Sequence, residues 1–486
     1  MQALRTATLA CSLLACGAQA LAQADYRVYT EHPRLFLEPD RLTRLRKEVD
    51  RQSLRWRSLR DLADSGIRFP EQPLVDALRY RAEGSAAAGS RAVGWSVRLA
   101  SSGISTAAEL RQAALVYDWC RDRFEAGERE AVQDAIAGAV GSLLSQAGLE
   151  VGLVRAAILA SIALAGDWDG SEPALDTLLN AHWDREVRPA LESGGLTDDG
   201  AALVAVLETS LAVRHNLEID LLRPATHALA TLVRTRLLSY YPADVRTAEG
   251  TARRPSRFGP DERAAQAQAP LYRLGEMLLV AYESNLREFQ FLQGWIRDDT
   301  YRLQSPLFAP YEFLWINPYL PGLTARSAPL LAYDPVRGRL YGRQSWDRPT
   351  TWIGFAEGRM EILSGGSLSA TASFRDLPPM YFPEAAVVPI EAPGRVVLRW
   401  EAPSGEPPEN ASIFLLGLQP FETYGLKVGG REPRVVEAGA GGFIVLRTDP
   451  TTMKRDRIDL RKRVRIEVKP TLKPTDPRRP RPTLGR

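Results

Sequence analysis

Arg214-His215-Asn216 is the one place in this 486-residue chain where a cation, an imidazole and an amide adjoin, and Tyr240 and Tyr241 follow soon after. Cations and amides neutralise a carboxylate, while imidazole and phenol move protons. His215, Tyr241 and Arg214 therefore form the candidate catalytic group, with Asn216 beside them for substrate. The triplet reads equally as a helix C-terminus, where His and Asn cap the last carbonyls. Consecutive helical residues point about 100° apart, so one cleft cannot receive all three. His182-Trp183-Asp184 is a second such place. Trp183 can stack on a sugar ring or wedge between helices, and Trp119, Trp295, Trp95 and Trp315 carry the same two readings. Arg253, Arg254 and Arg257 place a basic stretch, able to meet an acidic polymer, in a polar loop over 246–270. Asp198-Asp199 either pairs two carboxylates for glycosidase-like chemistry or caps a helix opening at Ala201.

Helices must hold these residues. From about residue 33 to 300, apolar positions recur at helical spacing. Glu38-Pro39-Asp40 opens a helix carrying Leu42, Leu45, Val49 and Leu54. Leu110, Ala113, Ala114 and Tyr117 make an i, i+3, i+4, i+7 face. The run 151–165 is apolar nearly all round, as in a helix buried between others, and 203–213 and 271–291 continue the series. Many helices with short connections predict an all-α domain over 25–326. Prolines gather at 305–329, and beyond them the pattern alternates, in 339–346, 351–355, 395–400, 412–418, 424–428 and 443–447. That predicts a smaller β domain over 327–470. Its last strand, 457–468, puts Ile458, Leu460, Val464, Ile466 and Val468 on one face and Arg457, Arg461, Arg463 and Arg465 on the other. The Pro-rich basic tail 471–486 is expected to be disordered.

With 45% hydrophobic and 25% charged residues, the composition is that of globular protein and excludes collagen, wholesale disorder and a disulfide scaffold. The net charge of +3 hides a division: residues 451–486 carry thirteen Lys/Arg against four Asp/Glu, or +9, which leaves −6 for the rest. Residues 1–24 set Arg5 before an apolar stretch and end in Ala22-Gln23-Ala24, the layout of a secretory signal peptide. A lipoprotein box at Cys16 is the lesser match. The mature protein is expected to be periplasmic or secreted, with no transmembrane segment, since no later apolar run approaches about 18 residues. Cleavage leaves only Cys120, so no intrachain disulfide can form and a buried thiol is expected. No G-x-S-x-G, P-loop, G-x-G-x-x-G, H-E-x-x-H or paired C-x-x-C occurs. All four histidines precede residue 228, so the β domain has no His-ligated metal, and neither metal nor cofactor is expected. Export argues against nucleic acid. The basic end better suits an anionic glycan or envelope surface.

HPRLFLEPDRLTRLRKEV at 32–49 resembles the opening of heparinase II/III-like and alginate-lyase-like polysaccharide lyases. AALVYDWCRDRFEAGEREAV at 113–132, GGLTDDG at 194–200 and GRQSWDRPTTWIGFAEG at 342–358 resemble later parts of that family, in the same order. The resemblance implies an incomplete (α/α) toroid of helical hairpins followed by a smaller antiparallel β-sandwich. It also implies β-elimination at a uronic acid: a cation or amide neutralises the sugar carboxylate, His or Tyr removes the adjacent proton, and Tyr returns one to the leaving oxygen. The family's Asn-His pair has no counterpart in Glu150-Val151-Gly152-Leu153-Val154, and Ala201-Ala202-Leu203 replaces its tyrosine. The expectation is therefore an exported protein that acts on or binds an acidic polysaccharide. The alternative is a non-catalytic glycan-binding or scaffold protein of envelope polysaccharide assembly.

Overall fold

The computed structural model describes residues 28–462 except 30, 198, 248–249, 257–261, 284, 300–305, 348–349, 375–376, 392–393, 399–410 and 449–455. The expected signal peptide with Cys16, the end of the basic strand and the tail lie outside the described residues. The chain forms two compact units, residues 1–370 and 371–486. The expected boundary at 326/327 is thus displaced by some forty residues, for a reason given below.

The helices of the first unit are α1 (Pro39–Asp50), α2 (Leu54–Asp64), α3 (Gln72–Glu83), α4 (Ala86–Ser102), α5 (Ala107–Trp119), α6 (Ala126–Leu144) and α7 (Val151–Leu164). After α8 (Ser171–Thr177) comes a π-helical stretch, Leu178–Val187. The series ends with α9 (Arg188–Glu192), α10 (Gly200–Leu217), α11 (Thr226–Ser239), α12 (Glu262–Tyr282), α13 (Arg287–Asp299) and α14 (Ala309–Trp315). Two expected single helices are each split. Leu54 begins α2 because Ser53 accepts a hydrogen bond from the Trp56 amide at 3.2 Å and caps a new helix. The run 271–291 breaks between α12 and α13. The expected cap at Ala201 is there: Asp199 accepts from the Ala201 and Ala202 amides. The polar loop over 246–270 is instead a hairpin, β1 (Tyr240–Thr247) with β2 (Gly250–Pro255), followed by α12. Short polar sequence made it read as a loop, but its backbone groups pair with each other.

α3 packs on α5, α5 on α7, α7 on α10, α10 on α12 and α12 on α14, and α14 returns to α2. One large core lies within this series, with α7 buried from Ala156 to Leu164. The five strands β3 (Leu331–Asp334), β4 (Arg339–Arg343), β5 (Trp352–Ala356), β6 (Arg359–Ser364) and β7 (Ser367–Thr371) make an antiparallel meander. This sheet belongs to the helical unit because it shares a core with the end of α11: Trp352 is fully buried and donates from Nε1 to the Leu238 carbonyl at 2.7 Å, beside Tyr241, Tyr341 and Leu363.

The second unit has two four-stranded sheets, ordered β14-β11-β9-β8 and β10-β15-β12-β13. Their strands are β8 (Met380–Phe382), β9 (Ala385–Pro389), β10 (Gly394–Leu398), β11 (Ala411–Leu416), β12 (Thr423–Val428), β13 (Arg434–Glu437), β14 (Ile444–Thr448) and β15 (Asp456–Lys462). Ala386, Val388, Ile413 and Leu415 from the first sheet share an apolar cluster with Tyr424, Leu426 and Ile458 from the second. β9 and β11 run parallel, so the unit is not wholly antiparallel as expected.

Candidate functional site

Arg214, His215 and Asn216 lie in the last turn of α10 and turn to three separate partners. Arg214 stacks over the Tyr282 ring at 4.8 Å and donates to the Tyr282 carbonyl at 2.7 Å. His215 pairs with Glu38 through Nδ1. Burial opposes ionisation of Glu38, but Arg41 and the His215 hydrogen bond overcome it and hold the carboxyl at about 2. Asn216 is buried and donates from Nδ2 to the carbonyls of Arg34 (3.2 Å) and Ala212 (2.8 Å).

Arg34 and Glu38, which partner Asn216 and His215, belong to one segment, residues 32–38, laid across the C-terminal ends of α5, α7 and α10. Asp118, buried at the end of α5, accepts from the amides of Arg34 and Leu35 at 3.0 and 2.8 Å and pairs with His32 Nδ1 at 2.6 Å. The Arg34 guanidinium donates to the Ile162 and Ala165 carbonyls, at 3.2 and 2.9 Å, and so caps α7 where orphan carbonyls and the helix dipole favour a cation. Trp119 is fully buried and donates from Nε1 to the Leu35 carbonyl at 2.8 Å. The HPRLF stretch is therefore a plug over this end of the helices, and Asn216 and Trp119 help to seat it.

Tyr240 and Tyr241 follow the C-terminal end of α11 and turn to other partners. Tyr240 is fully buried and donates to Glu276 at 2.6 Å; Tyr241 donates to Glu361 of β6 at 2.8 Å. The structure thus does not gather His215, Tyr241 and Arg214. Trp183 and Trp295 are, like Trp119, buried in the helical core, so none of the three offers a ring face to a sugar. Their large apolar area won the contest between core and groove. His182 is buried one position before Trp183 in the π-helical stretch. Arg254 sits in strand β2, and its side chain is outside the described residues.

A different charged set meets between the N-terminal turns of α5 and α7 and the middle of α10. Glu71 precedes α3, Arg111 and Arg155 lie in the second turns of α5 and α7, Glu208 is midway along α10, and Tyr311 is in the first turn of α14. Arg111 forks onto Glu208, with Nε to Oε2 at 2.8 Å and Nη2 to Oε1 at 2.6 Å, and its Nη1 reaches both oxygens of Glu71 at 2.8 and 2.9 Å. Arg155 Nη1 adds a third contact to Glu208 at 3.0 Å, and the Tyr311 phenol donates to Glu71 Oε2. Glu208 is fully buried, whereas the side chains of Glu71 and Arg155 are 20% and 16% exposed, so the network reaches solvent through those two.

Burial alone would raise the pKa of Glu208, yet Arg111 and Arg155 hold it below the ordinary carboxylate range. Burial also lowers that of Arg155, and the repulsion of Arg111 adds to this against the pull of Glu208. For Arg111, the cost of burial is outweighed by Glu208 and Glu71, and it stays firmly cationic. Burial and the neighbouring Glu71 push the Tyr311 phenol well above its usual range, so it is held as a proton donor. The cluster offers two cations, a protonated phenol and a partly exposed carboxylate that accepts from it.

None of these five was singled out above, although a signal was present. Arg155 and Glu208 are lone opposite charges inside the apolar runs 151–165 and 203–213, and buried charges are kept where they pair. Among the described residues, no group of three or more His, Cys, Asp or Glu is placed to hold a metal ion, and no helix is long and apolar enough to cross a membrane. No protein-family model matches the chain, and no curated protein does.

Proposed function

We propose that the protein is an exported polysaccharide lyase-like enzyme of acidic glycans, its helical unit an incomplete (α/α) toroid and its second unit a β-sandwich. The observation that carries this reading is the Tyr311–Glu71 pair held beside Arg111 and Arg155. The return of α14 onto α2 supports the toroid, and the partly exposed side chains of Glu71 and Arg155 are the members of the network that a polymer would meet.

In this reading Arg155, aided by Arg111, neutralises the carboxylate of a uronic acid and so acidifies the adjacent C–H. Glu71 takes that proton, the C–H electrons form the new double bond, and the bond from the neighbouring carbon to the glycosidic oxygen breaks. Tyr311 gives its proton to the departing oxygen. The hydrogen bond between the two then returns the proton from Glu71 to the phenolate, and no further reactant is needed. The test is incubation with a panel of polyuronates, following the ultraviolet absorbance of unsaturated uronate. Product formed by the native chain and lost in Tyr311→Phe, with polymer affinity retained, supports the reading.

The second reading is a non-catalytic glycan-binding or envelope-assembly protein. It is favoured by the internal pairing of the network, in which Arg111 is spent on Glu208 and Glu71. Binding without unsaturated product from any polymer of the panel decides for it.

A further inference from the structure

The outward face of the β10-β15-β12-β13 sheet combines charge and exposure. Side chains alternate across a strand, so residues two apart share a face about 6.8 Å apart, and neighbouring strands lie about 4.8 Å away. Ile458 and Tyr424 point into the shared core and Val396 packs against it. The opposite face therefore carries Arg395 and Val397 of β10, Arg457, Asp459 and Arg461 of β15, Gly425 and Lys427 of β12, and Val435 and Glu437 of β13.

The register brings these together. Asp459 stands opposite Arg395 on one side and Lys427 on the other, while Gly425 stands between Arg461 and Val435. Asp459 is the centre of a ring of four cations. Arg395 and Arg457 hold it through their Nε atoms, whereas Lys427 and Arg461 make no ion pair among the described residues. All four cations are exposed. Val397 and Val435 are half exposed at the two flanks. A Cβ on Gly425 would meet only the Arg461 carbonyl, at 3.9 Å, so a shallow gap opens beside the two unpaired cations.

We propose that this sheet face binds an anionic polysaccharide chain, its carboxylates taken by Arg461, Lys427, Arg457 and Arg395. Four cations against Asp459 and Glu437 attract a polyanion, and guanidinium forks suit carboxylates. The strand residues of this face include no Trp, Phe or Leu and no aromatic ring; the one exposed ring nearby among the described residues, Phe421, precedes β12, so a glycan fits better than a membrane or single-stranded nucleic acid, which would call for several. The choice of an acidic glycan rests on the function proposed above, but the surface is a separate site on a separate unit.

The experiment uses the full chain and alginate as the probe, with dextran, phosphatidylglycerol vesicles and a single-stranded oligonucleotide as parallel arms, at two salt concentrations. Lys427→Gln/Arg461→Gln is compared with Lys47→Gln/Arg57→Gln, which removes the same charge from exposed positions on α1 and α2. The expected result is alginate affinity reduced about tenfold or more in the sheet variant and within about twofold of native in the control. The salt slope should fall by about two in the sheet variant. Elimination on short oligouronates should be unchanged in both, so loss of turnover in the native chain would speak against the function above and leave this binding test standing. Equal weakening in the control, unchanged affinity in the sheet variant, or tighter capture by vesicles or oligonucleotide overturns the proposal.

Discussion

Tyr311 donates its phenolic hydrogen bond to Glu71, a residue 240 positions earlier in the chain. The contact joins the last helix of the series to the start of α3. The same junction is reinforced by Trp56 against Phe313, with ring centroids 5.4 Å apart, and by Arg55, which donates to the Glu312 and Ile316 carbonyls at 2.7 and 3.0 Å. The pair proposed for chemistry is thus also part of what holds α14 against the early helices.

These two roles separate in Tyr311→Phe. The ring keeps its packing, and Glu71 keeps its contacts to Arg111, so the loss in folding stability is about 1 kcal/mol, the net worth of one hydrogen bond. A residue that delivers the proton to a leaving group is worth about 10²- to 10⁴-fold in rate. Urea denaturation and turnover measured on the same variant check the split. A large stability loss with turnover unaltered would assign Tyr311 to structure alone.

Glu208 is fully buried where two arginines converge, Arg111 buried with it and Arg155 partly exposed. Glu208→Gln removes the charge that compensates Arg111 and Arg155, and breaking a buried pair from one side costs about 3 to 5 kcal/mol. Replacing both partners with apolar residues of similar volume, as in Arg111→Met/Glu208→Leu, should recover much of that loss, although Arg155 and Glu71 then lose a neighbour. Denaturation midpoints for the single and double variants decide it. A double variant no better than the single one would mean that the network, rather than the pair, is the stabilising unit.

Periodicity made much of the architecture legible. The buried α7, the Asp199 cap and the switch from helical to alternating patterns were all visible in composition and spacing. Those features are local, set by residues within a few positions of each other. The allocation of β3–β7 to the helical unit was not visible, because it depends on Trp352 reaching the Leu238 carbonyl 114 positions away. The site failed for a related reason. Arg214-His215-Asn216 attracted notice because three reactive types adjoin, yet adjacency on a helix disperses side chains, and each found its own structural partner. The residues that do converge are far apart in sequence. Their only local trace is a lone charge in an apolar helix.

The plug makes its own prediction. Asp118 satisfies the buried Arg34 and Leu35 amides and the partly buried His32 at once. Asp118→Ala leaves those donors without an acceptor, and each buried unsatisfied group costs about 1 to 3 kcal/mol. Hydrogen exchange should then speed up over 32–38 before it does so in α5 or α7, because the segment lifts as a local unit. Uniformly faster exchange throughout the helical unit would show that the segment is integral to the core and is no separate cover.

Glu312 gives the clearest dependence on pH. It lies within α14, is 9% exposed, and its Oε1 has no hydrogen-bond partner among the described residues. Burial raises its pKa to about 8, with Arg273 and Arg55 pulling the other way. In the unfolded chain the same group ionises near 4.5, so between those values the folded state holds a proton that the unfolded state has released. Stability from this group is fully present below about 4.5, declines as pH rises, and is gone above about 8. The total loss is on the order of several kcal/mol. Glu312→Gln keeps the shape of the protonated acid and has no proton to release. Urea midpoints at pH 5 and pH 8.5 should therefore nearly coincide for native and variant at the lower pH, with the variant ahead at the higher. Parallel behaviour of the two proteins across that range would show that Glu312 is already ionised in the fold, held by Arg273 and Arg55 rather than kept neutral by burial.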